Sequence, residues 1–168
     1  FYDLPNPNLF VNDINKVIDE KGIWCVQISY LASMINFNNF YDICHEHLSY
    51  YSIETFENLL KPFNLKCFYA ETNAVNGGSV RLYVCRKNSI YSKNKLYNNT
   101  LVKIKKLEKK LKLTKASTFY NFQKKIDNIK SKTNSFVDLI NDSDEQIFAL
   151  GASTKGNILL QHFGLDKS

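Results

Sequence analysis

The run Asp42-Ile43-Cys44-His45-Glu46-His47-Leu48-Ser49-Tyr50-Tyr51-Ser52 holds two of the chain's three histidines, one on each side of a glutamate. An imidazole exchanges a proton near neutral pH, and a neighbouring carboxylate can fix its tautomer and stabilise its charged form. His47, His45 and Glu46 are therefore candidates for general acid–base work. Two other readings use the same residues. On an extended chain His45 and His47 point the same way and could ligate zinc, but Cys44 and Glu46 then point the opposite way, and a metal needs three or four ligands. No metal site is expected from this chain. Alternatively the run is a dense polar turn whose groups hydrogen-bond one another and lead into a helix capped by Ser52. Position favours the base, because the run follows a strand ending near Ile28 and open α/β sheets place ligands beyond the carboxyl ends of their strands.

Two glycine-bearing stretches add binding chemistry. Asn76-Gly77-Gly78-Ser79-Val80-Arg81 reads first as a turn between strands that needs positive φ. In its functional version the backbone N–H groups approach a ligand and Arg81 reaches a phosphate or carboxylate. Gly151-Ala152-Ser153-Thr154-Lys155-Gly156, between an expected strand and a helix that begins near Asn157, has the parts of an anion cradle: free backbone N–H groups at a helix start, hydroxyls and a lysine. It matches neither GxxxxGK[ST] nor GxGxxG. The residues alone leave a phosphate contact and a glycine-rich turn equally open.

Composition narrows the class. The formal charge of +6 invites a nucleic-acid reading, but most of the excess lies between Arg86 and Lys130, where lysines alternate with apolar residues at helical spacing. That is the pattern of a solvated helix face, so nucleic acid is not the expected partner. Cys25, Cys44, Cys67 and Cys85 stand far apart without a CxxC pair, so no zinc knuckle is encoded and no disulfide is required. The apolar runs fall far short of the roughly 20 residues that span a bilayer, and the first residues lack the zones of a signal peptide. A cytoplasmic protein that does not enter a membrane is the expectation.

The elements that must position these residues read as α/β. Asn6 and Pro7 start a helix whose apolar face is Phe10, Val11, Ile14, Val17 and Ile18, ending at Lys21-Gly22. Ile23–Ile28 is apolar enough for a parallel sheet covered on both faces. Ser52 caps a helix that stops near Pro62. Leu65–Ala70 and Ser79–Cys85, joined without a helix, make an antiparallel pair. Leu101, Ile104, Leu107 and Leu111, then Phe119, Phe122, Ile126, Ile129, Thr133, Phe136 and Ile140, mark two amphipathic helices broken at Thr114–Ser117. Their apolar faces allow oligomerisation. Gln146–Leu150 reads as one more strand before the last glycine loop.

Together, HEHLSYYS, NGGSVR and ALGASTKGNILLQ, in this order and at these distances, resemble the nucleotide-sugar C-methyltransferases over essentially the whole chain. The resemblance implies a partial class I methyltransferase (Rossmann-like) sheet ending in an antiparallel hairpin over residues 1–88. A helical connector over 89–145 and the first βα unit of a C-terminal substrate-binding α/β domain over 146–168 would follow. It implies methyl transfer from S-adenosylmethionine to a carbon of a nucleotide-linked keto-deoxysugar through a base-generated enolate. The main donor-binding loop and any zinc-binding segment would lie upstream of Phe1, so this chain would be a fragment without turnover of its own.

Carried over residue by residue, His47 is the base, Glu46 its carboxylate, and His45 a donor to the oxyanion. Cys44 stands where the family has tyrosine, and Tyr50 or Tyr51 could replace that phenol. Asn76, Gly77, Gly78, Arg81, Ser153, Thr154, Lys155 and Asn157 would bind substrate, with Lys155 the foremost diphosphate contact. The departure at Cys44 keeps a rival open, an inactive Rossmann-like binding or scaffolding protein. A lesser rival is an RNA- or protein-interaction module built on the lysine-rich helices.

Overall fold

The computed structural model describes residues 1–151 and 153–165 of the chain. Six α-helices and three strands are named among them: α1 (Pro7–Val17), β1 (Trp24–Ser29), α2 (Leu31–Phe37), α3 (Ile53–Leu60), β2 (Leu65–Asn73), β3 (Ser79–Arg86), α4 (Lys95–Leu111), α5 (Ala116–Asn141) and α6 (Thr154–Phe163). The α/β class and the terminal hairpin are as the sequence predicts. Among the described residues no helix is long and apolar enough to cross a membrane.

The sheet order is β1-β3-β2, with β3 antiparallel to both neighbours, so β1 and β2 run the same way on either side of it. This corrects one expectation. The neighbour of β1 among the described residues is antiparallel, and its residues alternate: Val26 and Ile28 are buried while Cys25 and Gln27 are exposed. One face of the sheet packs, and the other carries polar groups such as Gln27, Glu71 and Arg81. Alternation of this kind is what an antiparallel sheet with one solvated face requires.

The packed face gives Val26, Ile28, Leu65, Cys67, Val80, Leu82 and Val84 to a core closed by Val11 of α1, Ile53, Phe56 and Leu60 of α3, and Leu101 of α4. A second cluster, Met34, Ile35, Phe40, Phe122, Ile126 and Phe163, joins α2, α5 and α6.

Local chemistry accounts for most helix limits. Asn6 accepts a hydrogen bond from the Leu9 N–H, and Pro7 occupies the first turn of α1, where its missing N–H costs nothing. That helix ends at Val17, with Ile18 already extended, four residues before the predicted stop. Ser52 and Thr55 form a reciprocal capping box at α3, worth about 1 kcal/mol for each such cap.

Two sequence expectations fail here. Gln146–Leu150 adopts no regular structure, and Ile147, Phe148 and Leu150 are exposed. A strand needs a neighbour for its N–H and C=O groups, and no described strand lies beside it. In α4 the buried stripe passes through Leu101, Ile104 and Glu108, whereas Leu107 is exposed.

Glu108 is 5% exposed. Its carboxylate accepts hydrogen bonds from the Tyr30 hydroxyl at 2.8 Å and from the Ile53 N–H at 2.6 Å. The second of these is an N-terminal N–H of α3 that has no partner within its own helix. Burial pushes the carboxyl of Glu108 up from the ordinary carboxylate range and pushes the phenol of Tyr30 up as well. Tyr30 follows β1 directly and bridges to Tyr51, whose carbonyl accepts from Leu31 N–H at 3.2 Å. The histidine-bearing loop is thus pinned where it leaves the sheet and where it enters α3.

Candidate functional site

The loop between α2 and α3 starts with Asn38 in left-handed conformation and a short 3-10 turn, Phe40–Asp42. The His47 N–H then closes a turn onto the Cys44 carbonyl at 3.1 Å. The N–H groups of Leu48 and Ser49 both donate to the Tyr2 carbonyl, at 3.0 and 3.1 Å. The N-terminal residues therefore brace the loop from below.

His47 is held by aromatic rings. Its imidazole stands edge-on to Tyr2 at 4.4 Å and near Tyr50 at 6.2 Å between centroids. Its Nδ1 is enclosed without a hydrogen-bond partner, which leaves Nε2 as the ring nitrogen a ligand can reach. The predicted carboxylate support is absent from this arrangement. Glu46 lies 3.9 Å from His45 Nε2, and both side chains are largely exposed, at 59% and 86%. His45 does not line the cavity described below, whereas Glu46 does.

Opposite the histidine loop, Asn76, Gly77 and Gly78 all adopt positive φ, 56°, 81° and 128°. Asparagine and glycine tolerate that region. Space demands glycine too. A Cβ at Gly77 would lie 2.9 Å from Asn39 Nδ2, and one at Gly78 would lie 2.5 Å from Ser33 Cβ. The close approach is used: Asn39 donates to the Gly77 carbonyl, and Tyr41 donates to Asn39 Oδ1 at 2.9 Å.

The third stretch arrives from the far end of the chain. Ser153 caps α6, accepting from the Gly156 N–H at 3.3 Å. Phe163, at the other end of α6, packs on Phe40 at 5.6 Å, and Lys130 and Asn134 of α5 donate to its last carbonyls. Lys155 then reaches back. Its Nζ pairs with Asp42 Oδ1 at 2.5 Å, donates to the Asn76 carbonyl at 3.0 Å, and lies 5.3 Å from the Tyr41 ring centre.

The three stretches enclose a cavity of about 580 Å³. Cys44, Glu46 and His47 line it from the histidine loop, Asn76 and Gly77 from the turn, and Ser153, Thr154 and Lys155 from the start of α6. Tyr2, Ser29, Tyr41 and Asp42 complete the wall. Among the described residues no aliphatic side chain takes part. Hydroxyls, two carboxylates, an ammonium, an imidazole and aromatic rings make the described lining polar.

Other sequence candidates lie elsewhere. Tyr51 is buried in the core against Phe1 and Phe56. Tyr50 donates to the Asp42 carbonyl at 3.3 Å from behind His47, and burial pushes its phenol up. Arg81 lies on the solvated sheet face, 3.0 Å from Glu71 Oε1 and 2.9 Å from Gln27 Oε1. Gly78 packs under the turn, Asn157 is an exposed residue of α6 outside the lining, and Ala152 lies outside the described residues.

Tyr2, Ser29, Tyr41 and Asp42 are the lining residues that sequence reasoning misses. Asp42 carries the one available signal, a carboxylate at the head of the histidine run, directly after the aromatic pair Phe40-Tyr41. Among the described residues, no group of three or more His, Cys, Asp or Glu is placed to hold a metal ion.

A family model described as the C-methyltransferase C-terminal domain matches residues 74–168. Over 165 residues, 98% of this chain, the sequence is 22% identical to the C-methyltransferase NovU of Streptomyces niveus. The chain spans 38% of the length of that relative.

Proposed function

This chain belongs to the C-methyltransferase C-terminal domain family, and from that premise we propose that its cavity is the acceptor half of a site for methyl transfer to carbon. The observation that carries the reading is the convergence of three stretches, around residues 42–47, 76–77 and 153–155, on one cavity. The acceptor is a nucleotide-linked keto-deoxysugar. A sugar ring suits a lining of hydroxyls and tyrosine rings, and a ketone acidifies the hydrogen on its neighbouring carbon.

His47 is the base. It takes that hydrogen as a proton onto Nε2, the C–H electron pair moves into the ring, and the ketone becomes an enolate whose carbon is the nucleophile. Donors aimed at the enolate oxygen lower the barrier by meeting charge as it develops. The methyl donor is S-adenosylmethionine. The steps carried by the residues of this lining are those on the acceptor alone. The division at residues 88 and 145 belongs to the same proposal, with 1–88 the methyltransferase sheet and 146–168 the start of the substrate domain.

The test is to incubate the intact protein with S-adenosylmethionine and a panel of nucleotide-linked 4-keto sugars and weigh the products. A gain of one methyl group on a sugar carbon is expected. A second reading, a relative that binds the nucleotide-sugar without methylating it, is favoured by the unpartnered Nδ1 of His47 and by Cys44. It predicts binding across the same panel with no gain of mass.

A further inference from the structure

Lys155 lies in a cavity wall, but its charge is already answered. The Asp42 side chain is 4% exposed and pairs with Lys155 Nζ at 2.5 Å, while the lysine side chain is 35% exposed. A carboxylate enclosed to this degree depends on its cation, because an unpaired charge there has lost its water without compensation. An ammonium has three N–H donors. One is directed at the Asn76 carbonyl, 3.0 Å away, while the contact with Asp42 Oδ1 is an ion pair in which that oxygen accepts no hydrogen bond. N–H capacity remains for a ligand. The Tyr41 ring, 5.3 Å from Nζ, further confines the head group.

The charge balance of the wall bears on what that N–H can meet. Among the described residues Lys155 is the one lysine or arginine of the lining, and Asp42 and Glu46 are two carboxylates. The described wall therefore offers no surplus side-chain cation to a diphosphate, the kind of partner that strengthens phosphate binding most. A donor on a neutralised ammonium suits an uncharged oxygen that gains charge only during reaction.

We propose that Asp42 is a positioning residue, holding Lys155 by their ion pair so that an unspent N–H donates to the carbonyl oxygen of the acceptor, with the acceptor's phosphates lying away from this wall. The inference rests on the acceptor reading above. In the step it serves, the C–H bond breaks and its proton goes to His47 Nε2. The electron pair forms the C=C bond, the carbonyl π pair moves onto oxygen, and Lys155 stabilises that oxygen by hydrogen bonding without transferring a proton.

The experiment titrates inorganic pyrophosphate into the intact protein and its Asp42→Asn, Lys155→Met and doubly substituted variants. Asp42→Asn is close in shape and frees the lysine charge, and the double variant removes both charges, so neither leaves a buried ion alone. Wild type and the doubly substituted variant should bind pyrophosphate alike, while Lys155→Met, which bares the Asp42 carboxylate, should bind it no better. Asp42→Asn should gain roughly tenfold in affinity, and the gain should vanish in the double variant. A roughly tenfold loss in the double variant relative to wild type would overturn the proposal, because Lys155 would then already be a phosphate ligand.

With a methylated acceptor in hand, Asp42→Asn should lower kcat by about 100-fold while KM changes little, the mark of a contact made mainly in the transition state. An unchanged kcat would also overturn it. The pyrophosphate result does not require turnover, so failure of every acceptor to be methylated refutes the functional reading without being mistaken for failure at Asp42.

Discussion

Two buried carboxylates flank the histidine loop, and they are held in different ways. Asp42, at the cavity, meets the ammonium of Lys155. Glu108, under α3, meets neutral donors, a tyrosine hydroxyl and a helix N-terminal N–H. The first arrangement joins segments far apart in the sequence and sits in the cavity wall. The second ties α4 to the start of α3 and to the end of β1, and has no outlet to the cavity. Burial pushes Glu108 upward, as expected of a carboxylate desolvated among neutral partners. The contrast separates a pair that serves the site from a cap that serves the scaffold.

The largest effect is expected at the scaffold carboxylate. Glu108→Leu leaves the Tyr30 hydroxyl and the Ile53 N–H enclosed without an acceptor, and should cost about 3 kcal/mol in denaturant unfolding. Glu108→Gln keeps one acceptor oxygen and should cost about 1 kcal/mol. The pH dependence has a definite sign. A carboxyl raised in the folded state contributes stability that is present below the ordinary carboxylate range and is lost as pH rises through the raised value. The gap between wild type and Glu108→Gln should therefore widen as the pH is lowered from neutral towards the ordinary carboxylate range. A gap that narrowed would contradict the burial argument.

A smaller effect is expected at the site carboxylate, whose partner is partly open to water. Lys155→Met should cost about 1–2 kcal/mol by leaving Asp42 unpaired, less than a fully buried pair would. Adding Asp42→Asn to it should restore most of the loss, a coupling that a double-mutant cycle measures. Additive losses would mean that the two side chains act independently.

The smallest effect concerns thiols. Cys44 lines the cavity and is half-buried, whereas Cys67 is fully buried in the core and pushed up to about 12 by burial. In a Cys25→Ser background, iodoacetamide should label Cys44 and leave Cys67 and Cys85 untouched until the protein unfolds. Acceptor should slow labelling at Cys44. Equal labelling of Cys44 and Cys67 in the folded protein would erase the distinction between cavity and core.

What the sequence discloses follows the same division. Features decided within a few residues are legible: Asn6 and Ser52 as helix caps, the hairpin of β2 and β3, and the break between α4 and α5. The three site motifs are legible as motifs. Their meeting in one cavity is not, because the Lys155–Asp42 pair joins residues far apart in the chain, and no local pattern encodes it. Glu108 looks like one more charge on a lysine-rich surface. Its spacing from Leu101, Ile104 and Leu111 carries the missed signal, since it occupies an apolar-stripe position. The five residues from Gln146 have the composition of a strand, but composition cannot supply a neighbouring strand to pair with.

Proton removal by His47 is the step on which the account of the cavity depends. The direct measurement places a nucleotide-linked keto sugar with the intact protein in heavy water, without methyl donor, and follows deuterium at the carbon beside the ketone. Wild type should catalyse the exchange. His47→Ala should slow it by at least about 100-fold, within the range a general base contributes, while still binding the sugar. Equal exchange by the two proteins would contradict the assignment of His47 as the base.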